Sequence, residues 1–167
     1  MSPDYTLRRA RTSDVPAIKA LVAPLADRRI LMAKETVAYY EGLQEFRIAE
    51  GEDGAVLGCG ALHIMWEDLA EVRTLAAAAS GRGIGRAILE QLIEDARNYG
   101  VKRVFCLTFE VQFFARHGFE VMADQSAVDP QIYSELLRSH DEGVAEFLDL
   151  ARVKPNTLGN TRMIRHL

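Results

Sequence analysis

The residues best suited to chemistry in this chain of 167 residues are Gly81-Arg82-Gly83-Ile84-Gly85-Arg86. Glycines let backbone N–H groups come close to a ligand. The segment runs into helical sequence, and a helix N-terminus carries about half a positive charge. Arg82 and Arg86 add whole charges. Together these features suit a pyrophosphate. Two familiar phosphate loops are excluded. No Gly-Lys-Ser/Thr follows, and the sixth position of the dinucleotide fingerprint is Arg86 rather than Gly or Ala. A tight strand-to-helix turn without a ligand accounts for the same glycines, so the loop alone leaves both readings open. Elsewhere, His63, His117, His140 and His166 are scattered without metal-ligand spacing, and no metal site is expected. Cys59 and Cys106 lie in apolar strand-like runs, which suits small buried thiols better than a nucleophile or a disulfide.

The loop needs a frame. Tyr5 to Ala10 reads as a first strand. Thr12 or Ser13 can cap a helix with Pro16 in its first turn, and Val15, Ile18, Val22 and Leu25 recur on one face. A second helix is expected from Lys34 to Glu41, stopping near Gly42. Phe46 to Ala49 looks like a strand, and Asp53-Gly54 is a good hairpin turn. Ala55 to Trp66 is almost uninterrupted apolar sequence, as in a central strand covered on both faces. Leu69 to Ala76 is the strand that leads to the glycines. Behind them Ile84, Ile88, Leu92 and Ala96 mark a long helix that Gly100 ends. Val104 to Thr108 is a further strand, Val111 to His117 a short helix, and Gly118 to Val121 a turn into strand. Pro130 to His140 reads as helix, Asp141-Glu142 as a solvated loop, and Thr161 to Leu167 as a closing strand. This is a mixed α/β (α+β) pattern with a meander of hairpins in its middle, read as a single domain over 1–167. It is not the regular alternation of a doubly wound sheet.

Composition bounds the partners. Hydrophobic residues make up 49% and charged residues 26%, enough apolar surface for a core and against disorder. A net charge of -4 argues against a broad nucleic-acid surface, while a local cationic pocket stays open. Mean hydropathy of -0.06 and the absence of a long uncharged apolar run argue against a membrane span. Met1-Ser2-Pro3-Asp4 lacks the basic and apolar blocks of a signal peptide, and with the two thiols this points to a reducing cytoplasm. A homodimer stays open.

At the glycine loop the sequence resembles the GNAT family of acyl-CoA N-acyltransferases. Their hallmark is Arg/Gln-x-x-Gly-x-Gly/Ala at a strand–loop–helix junction that cradles the coenzyme A pyrophosphate. Ser80-Gly81-Arg82-Gly83-Ile84-Gly85 matches the glycines, and Phe114-Ala115-Arg116-His117-Gly118-Phe119 is similar to that family's helix-to-strand element. Within the family, four segments resemble the short single-domain bacterial N-acetylglutamate synthases: Gly58 to His63, Ala70 to Thr74, Leu107 to Glu110, and Leu158 to Met163. There are departures. Ser80 stands for the usual Arg or Gln, Ala76 to Ala79 replaces a Val-x-Pro segment, and Phe114 stands where Tyr is usual.

The resemblance implies a mixed, mostly antiparallel central sheet flanked by helices. It implies acetyl-CoA as co-substrate and acetyl transfer to the α-amino group of L-glutamate, the first step of arginine biosynthesis. It also implies no metal, no nucleic acid and no membrane. Leu75, Ala76, Gly81, Arg82, Gly83, Ile84, Gly85, Arg86 and Phe114 would face the coenzyme, with the N–H of Leu75 or Ala76 bonding the thioester oxygen. Glu71 would be the base, acting through an ordered water. On sequence physics alone it is a solvated or Arg73-paired carboxylate. The two carboxylates of glutamate call for cationic or amide partners. Lys34, Arg73, Lys154, Asn160 and Arg162 are candidates, and resemblance adds Leu31 and Thr74. Each has a plain structural alternative: Lys34 at a helix start, Arg162 at a strand edge. Two other occupations remain, acetylation of another amine (a peptide N-terminus, a lysine, a small amine) and a non-catalytic acyl-CoA sensor.

Overall fold

A computed structural model describes residues 4–27, 34–123, 128–148 and 160–167. The strands are β1 (Tyr5–Arg9), β2 (Phe46–Gly51), β3 (Val56–Trp66), β4 (Leu69–Ala77), β5 (Arg103–Thr108), β6 (Glu120–Val121) and β7 (Thr161–His166). The helices are α1 (Val15–Asp27), α2 (Thr36–Glu41), α3 (Ile84–Tyr99), α4 (Val111–Arg116), α5 (Pro130–Leu136) and α6 (Glu142–Phe147).

The strands hydrogen-bond in the order β1-β2-β3-β4-β5-β7-β6. β1 with β2, β2 with β3, β5 with β7 and β6 with β7 are antiparallel. β4 with β5 is parallel, in register from Leu69↔Arg103 to Glu71↔Phe105. A parallel pair needs a long crossover, and α3 with its loops is that crossover. The mostly antiparallel mixed sheet expected from the sequence is therefore present.

The chain divides into two units. The first holds Met1–His63 and Val72–Tyr99; the second holds Ile64–Glu71 and Gly100–Leu167. The first has a core of Val15, Ile18 and Val22 from α1, Tyr39 from α2, and Phe46, Ile48, Cys59, Ala61 and Ala76 from the strands. Its α3 lies unusually close to β3. A Cβ on Gly58 would stand 2.6 Å from Ile84 Cγ2, and one on Gly60 would stand 2.7 Å from Ile88 Cγ2. The bare backbone of β3 is thus the surface on which the first turns of α3 rest. The fully buried Ile84, Ile88 and Leu92 each contribute about 1.5–3 kcal/mol by leaving water.

Two ion pairs fasten polar groups inside this unit. Arg8 grips Asp14 through Nη1–Oδ2 at 2.7 Å and Nη2–Oδ1 at 2.9 Å. The Arg8 hydrogen bond holds the Asp14 carboxyl below its ordinary range, against the opposing effect of burial. Arg47 likewise holds Asp95 on α3 through two bonds of 2.7 Å.

The second unit is built on Met65, Leu69, Phe105, Leu136, Val144, Phe147 and Ile164. Phe105 and Phe147 meet edge to face at 5.7 Å, a geometry that aromatic quadrupoles favour.

Three local expectations are corrected. A 3-10 turn, Thr12–Asp14, precedes α1, and its start is held by the Arg11 N–H donating to Asp14 rather than by a Thr12 or Ser13 hydroxyl. The helix expected over Pro130 to His140 stops at Leu136, with Ser139 and Asp141 making turn contacts instead. Asp141-Glu142 is no solvated loop. Asp141 accepts the Val144 N–H at 3.1 Å and caps α6, because a short polar side chain satisfies an orphan donor at a helix start.

Candidate functional site

The first unit carries the glycine loop. Gly81 and Gly83 have φ of 84° and 75°, values that side-chain-bearing residues adopt only with strain. A Cβ at either would meet nothing within 4 Å, so the glycines serve backbone conformation rather than packing there. α3 begins at Ile84, which puts the N–H groups of Ile84, Gly85 and Arg86 in its first turn. The loop is tied to the start of the chain. The Tyr5 hydroxyl donates to the Gly83 carbonyl at 3.3 Å, and Arg82 Nη2 pairs with Asp4 Oδ2 at 2.5 Å. Arg86 Nε donates to Glu90 Oε1 at 2.9 Å, one turn along α3. Both arginines are therefore carboxylate-bound here, and a diphosphate would compete with Asp4 and Glu90 for them. Sequence reasoning missed Asp4 and Tyr5, since nothing local links residue 5 to residue 83.

β4 carries the groups that would do chemistry. Glu71 is 7% exposed and occupies the last of the parallel pairs, opposite Phe105. It makes interactions of its own, as does Arg73. Its charge, together with the larger effect of burial, raises the neighbouring Cys106 thiol well above its ordinary value. Cys106 is a buried, protonated core residue, as its setting in the sequence suggests.

Three residues on, the strand is distorted. Thr74 has φ of 57°, and it alone among the described non-glycine residues has a positive φ. For a β-branched residue this conformation costs about 1–3 kcal/mol, so the surroundings must hold it. Two groups of the first unit do so. Lys34 Nζ donates to Thr74 Oγ1 at 3.3 Å, and Cys59 Sγ donates to the Thr74 carbonyl at 3.4 Å. Lys34 Nζ also stands 5.9 Å from the centroid of the Tyr39 ring, within cation–π range. Burial pushes the Cys59 thiol up to about 12, while the Ala76 backbone N–H and the Lys34 charge pull the other way. Lys34 and Thr74, nominated separately from the sequence, are thus in contact. Cys59 was read as a buried thiol alone and Tyr39 drew no reading; the flanking Gly58 and Gly60 were the one signal that Cys59 sits on a special stretch of β3.

The second unit holds the remaining candidates. Phe114 is buried, its ring edge-on to Phe113 at 5.2 Å and to Phe119 at 5.1 Å. It is a core ring with no proton to give. Arg162 Nη1 donates to the carbonyls of Glu146 and Phe147 at 3.2 and 3.3 Å, at the C-terminal end of α6. A cation there complements the helix dipole. Asn160 is 7% exposed, and among the described residues its buried Oδ1 has no hydrogen-bond partner. Leu31 and Lys154 lie outside the described residues. Among the described residues no group of three or more His, Cys, Asp or Glu could hold a metal, and no helix is long and apolar enough to cross a membrane.

Residues 23–119 match the acetyltransferase (GNAT) family. An amino-acid acetyltransferase of Mycobacterium tuberculosis is 54% identical over 162 residues, which are 95% of this chain and 92% of the relative. Amino-acid acetyltransferases of Neisseria meningitidis are 33% identical over 71% of this chain but only 28% of their own length. Among solved structures, a Mycobacterium tuberculosis protein in complex with CoA superposes with a TM-score of 0.90 at 54% identity, covering 97% of this chain and 99% of that one. N-acetylglutamate synthase of Neisseria gonorrhoeae, complexed with coenzyme A and N-acetyl-glutamate, gives 0.77 at 25% identity and covers all of this chain but 36% of that one. The glycine loop at the head of α3, the mixed sheet with one parallel pair and these relatives agree: the chain belongs to the GNAT family of acetyltransferases, whose acetyl donor is acetyl-CoA.

Proposed function

We propose that this chain acetylates the α-amino group of L-glutamate, giving N-acetyl-L-glutamate and coenzyme A at the entry to arginine biosynthesis, in the cytoplasm. The observation that carries this is Glu71, a carboxylate kept 7% exposed on the strand that continues into the coenzyme loop. The named relatives support an amino acid as the acceptor.

The chemistry follows from the groups available. An α-ammonium with a pKa of about 8 must first lose a proton. Glu71 takes it through a water, and the nitrogen lone pair attacks the thioester carbonyl. The oxygen that gains charge needs a backbone donor. The Ala78 N–H donates to Leu57 of β3 at 2.8 Å, and Ala76, two residues before it, shares that edge. By the two-residue alternation of a strand, the Leu75 N–H lies on the opposite edge of β4, which favours it for this task. The C–S bond then breaks. A thiol of pKa about 8.5 leaves without strong acid help, so Phe114 in place of a phenol is tolerated. Lys34, Arg73, Thr74, Asn160 and Arg162 are the groups on which glutamate's carboxylates would draw.

Free-thiol release from acetyl-CoA, measured over a panel of amino acids and short peptides with products weighed by mass spectrometry, tests the reading. Glutamate should be turned over in preference to peptides and simple amines. Glu71→Gln should lower kcat near pH 7 by roughly 10²–10³-fold with little change in glutamate KM. The gap should narrow at high pH, where the amine is already neutral. Undiminished turnover of that variant at pH 7 would remove Glu71 from the mechanism.

A further inference from the structure

We propose that Cys59 is a positioning residue, a thiol clamp that holds the left-handed turn at Thr74 and so fixes the backbone donors that follow Glu71. The inference rests on the acetyl-transfer reading above for its kinetic consequence, but not for its structural one.

The argument begins with strain. A threonine at φ of 57° inside a strand does not stay there by its own preference. Its carbonyl must be held. A side chain from β3 holds it: Cys59 Sγ donates to that carbonyl at 3.4 Å. A thiol can do this because it carries a proton. The thiol is fully buried and keeps its proton throughout the physiological range, so the donor role is never lost.

Packing places the thiol. Gly58 and Gly60 flank it, and any Cβ at either would collide with Ile84 or Ile88, so β3 runs close against α3 on both sides of Cys59. The gap between Cys59 and Thr74 is set by packing, and a long S···O contact fills it. A left-handed residue breaks the two-residue alternation of a strand. What the clamp fixes is therefore the direction of the chain after Thr74, where the backbone donors of Leu75 and Ala76 follow.

The test uses the full chain with Cys59→Ala and Cys59→Ser. Hydrogen exchange of the Ala76 amide, referenced to the Ala70 amide of the same strand, reads the clamp without any turnover. Cys59→Ala should raise Ala76 exchange at least tenfold over the reference. It should lower kcat about tenfold while the KM values for acetyl-CoA and glutamate each move less than threefold. Cys59→Ser, which keeps a donor on a shorter bond, should recover part of both losses. In a Thr74→Gly background, where the turn is no longer strained, Cys59→Ala should cost much less than in the parent chain. Unchanged Ala76 exchange with kcat within twofold of the parent would overturn the clamp. So would a loss of kcat matched by equal losses in both KM values and not rescued by serine, which is the signature of general loosening. If the parent chain acetylates no amino acid, the proposed function fails, and the exchange measurement still decides the clamp.

Discussion

The glycine loop of the first unit and Arg162 of the second, one of the residues proposed for the acceptor, are seated by different means. The loop is contiguous in sequence and seated by shape: two glycines on β3 admit Ile84 and Ile88, and the N-terminus of α3 is placed as a result. Arg162 on β7 is seated by polar contacts with a distant segment, donating to carbonyls at the end of α6. Shape-based seating tolerates little change in volume, whereas polar seating tolerates volume change and fails when a donor or charge is removed. Substitutions in the two regions should therefore separate, the first moving coenzyme binding and the second moving acceptor binding.

The sharpest way to break that contrast is Gly58→Val. Its Cβ would fall 2.6 Å from Ile84 Cγ2 and 3.1 Å from the Ala76 carbonyl, so α3 must shift. We expect a stability loss of about 3 kcal/mol or more. Coenzyme A affinity should fall about tenfold or further, each tenfold being about 1.4 kcal/mol. Thermal unfolding and calorimetric titration with coenzyme A check both. A variant that folds normally and binds coenzyme A as tightly as the parent would show that the close packing does not seat the loop.

A smaller effect is expected in the second unit. Arg162→Gln keeps a donor for α6 but removes the charge. The glutamate KM should rise about tenfold, or roughly 1.4 kcal/mol, with the acetyl-CoA KM within twofold. Should thermal stability fall while both KM values stay put, Arg162 serves α6 alone and the acceptor role is lost.

The same contrast explains what could be read in advance. The loop was legible because its chemistry is local: glycines, arginines and a helix start within six residues. Glu71 was legible only by resemblance, since a lone carboxylate on a strand carries no spacing signal. The succession of elements along the chain was legible because apolar runs mark the strands and Gly54, Gly100 and Gly118 sit at turns between elements, each with a positive φ. The turn at Thr74 was not. No propensity favours a left-handed threonine, and the groups that hold it, Lys34 and Cys59, lie 40 and 15 residues away. The cap at Asp141 was missed for a different reason: an acidic pair before Gly143 looks the same in a solvated loop and at a helix start.

The smallest effect concerns Arg82, and its sign carries the information. Arg82 pairs with Asp4 at 2.5 Å, with side chains 38% and 64% exposed. An exposed pair of this kind contributes at most about 1 kcal/mol. Asp4→Asn should therefore leave thermal stability nearly unchanged. It should also free Arg82 for the diphosphate and remove a negative charge from beside it. Coenzyme A binding should tighten about two- to fivefold at low salt, roughly 0.4–1 kcal/mol. The gain should shrink as salt screens the charges. Weaker binding in the variant would mean that Asp4 holds Arg82 in its working position. The loop would then also depend on polar seating, and the division between the two regions would fail at the place where it looks clearest.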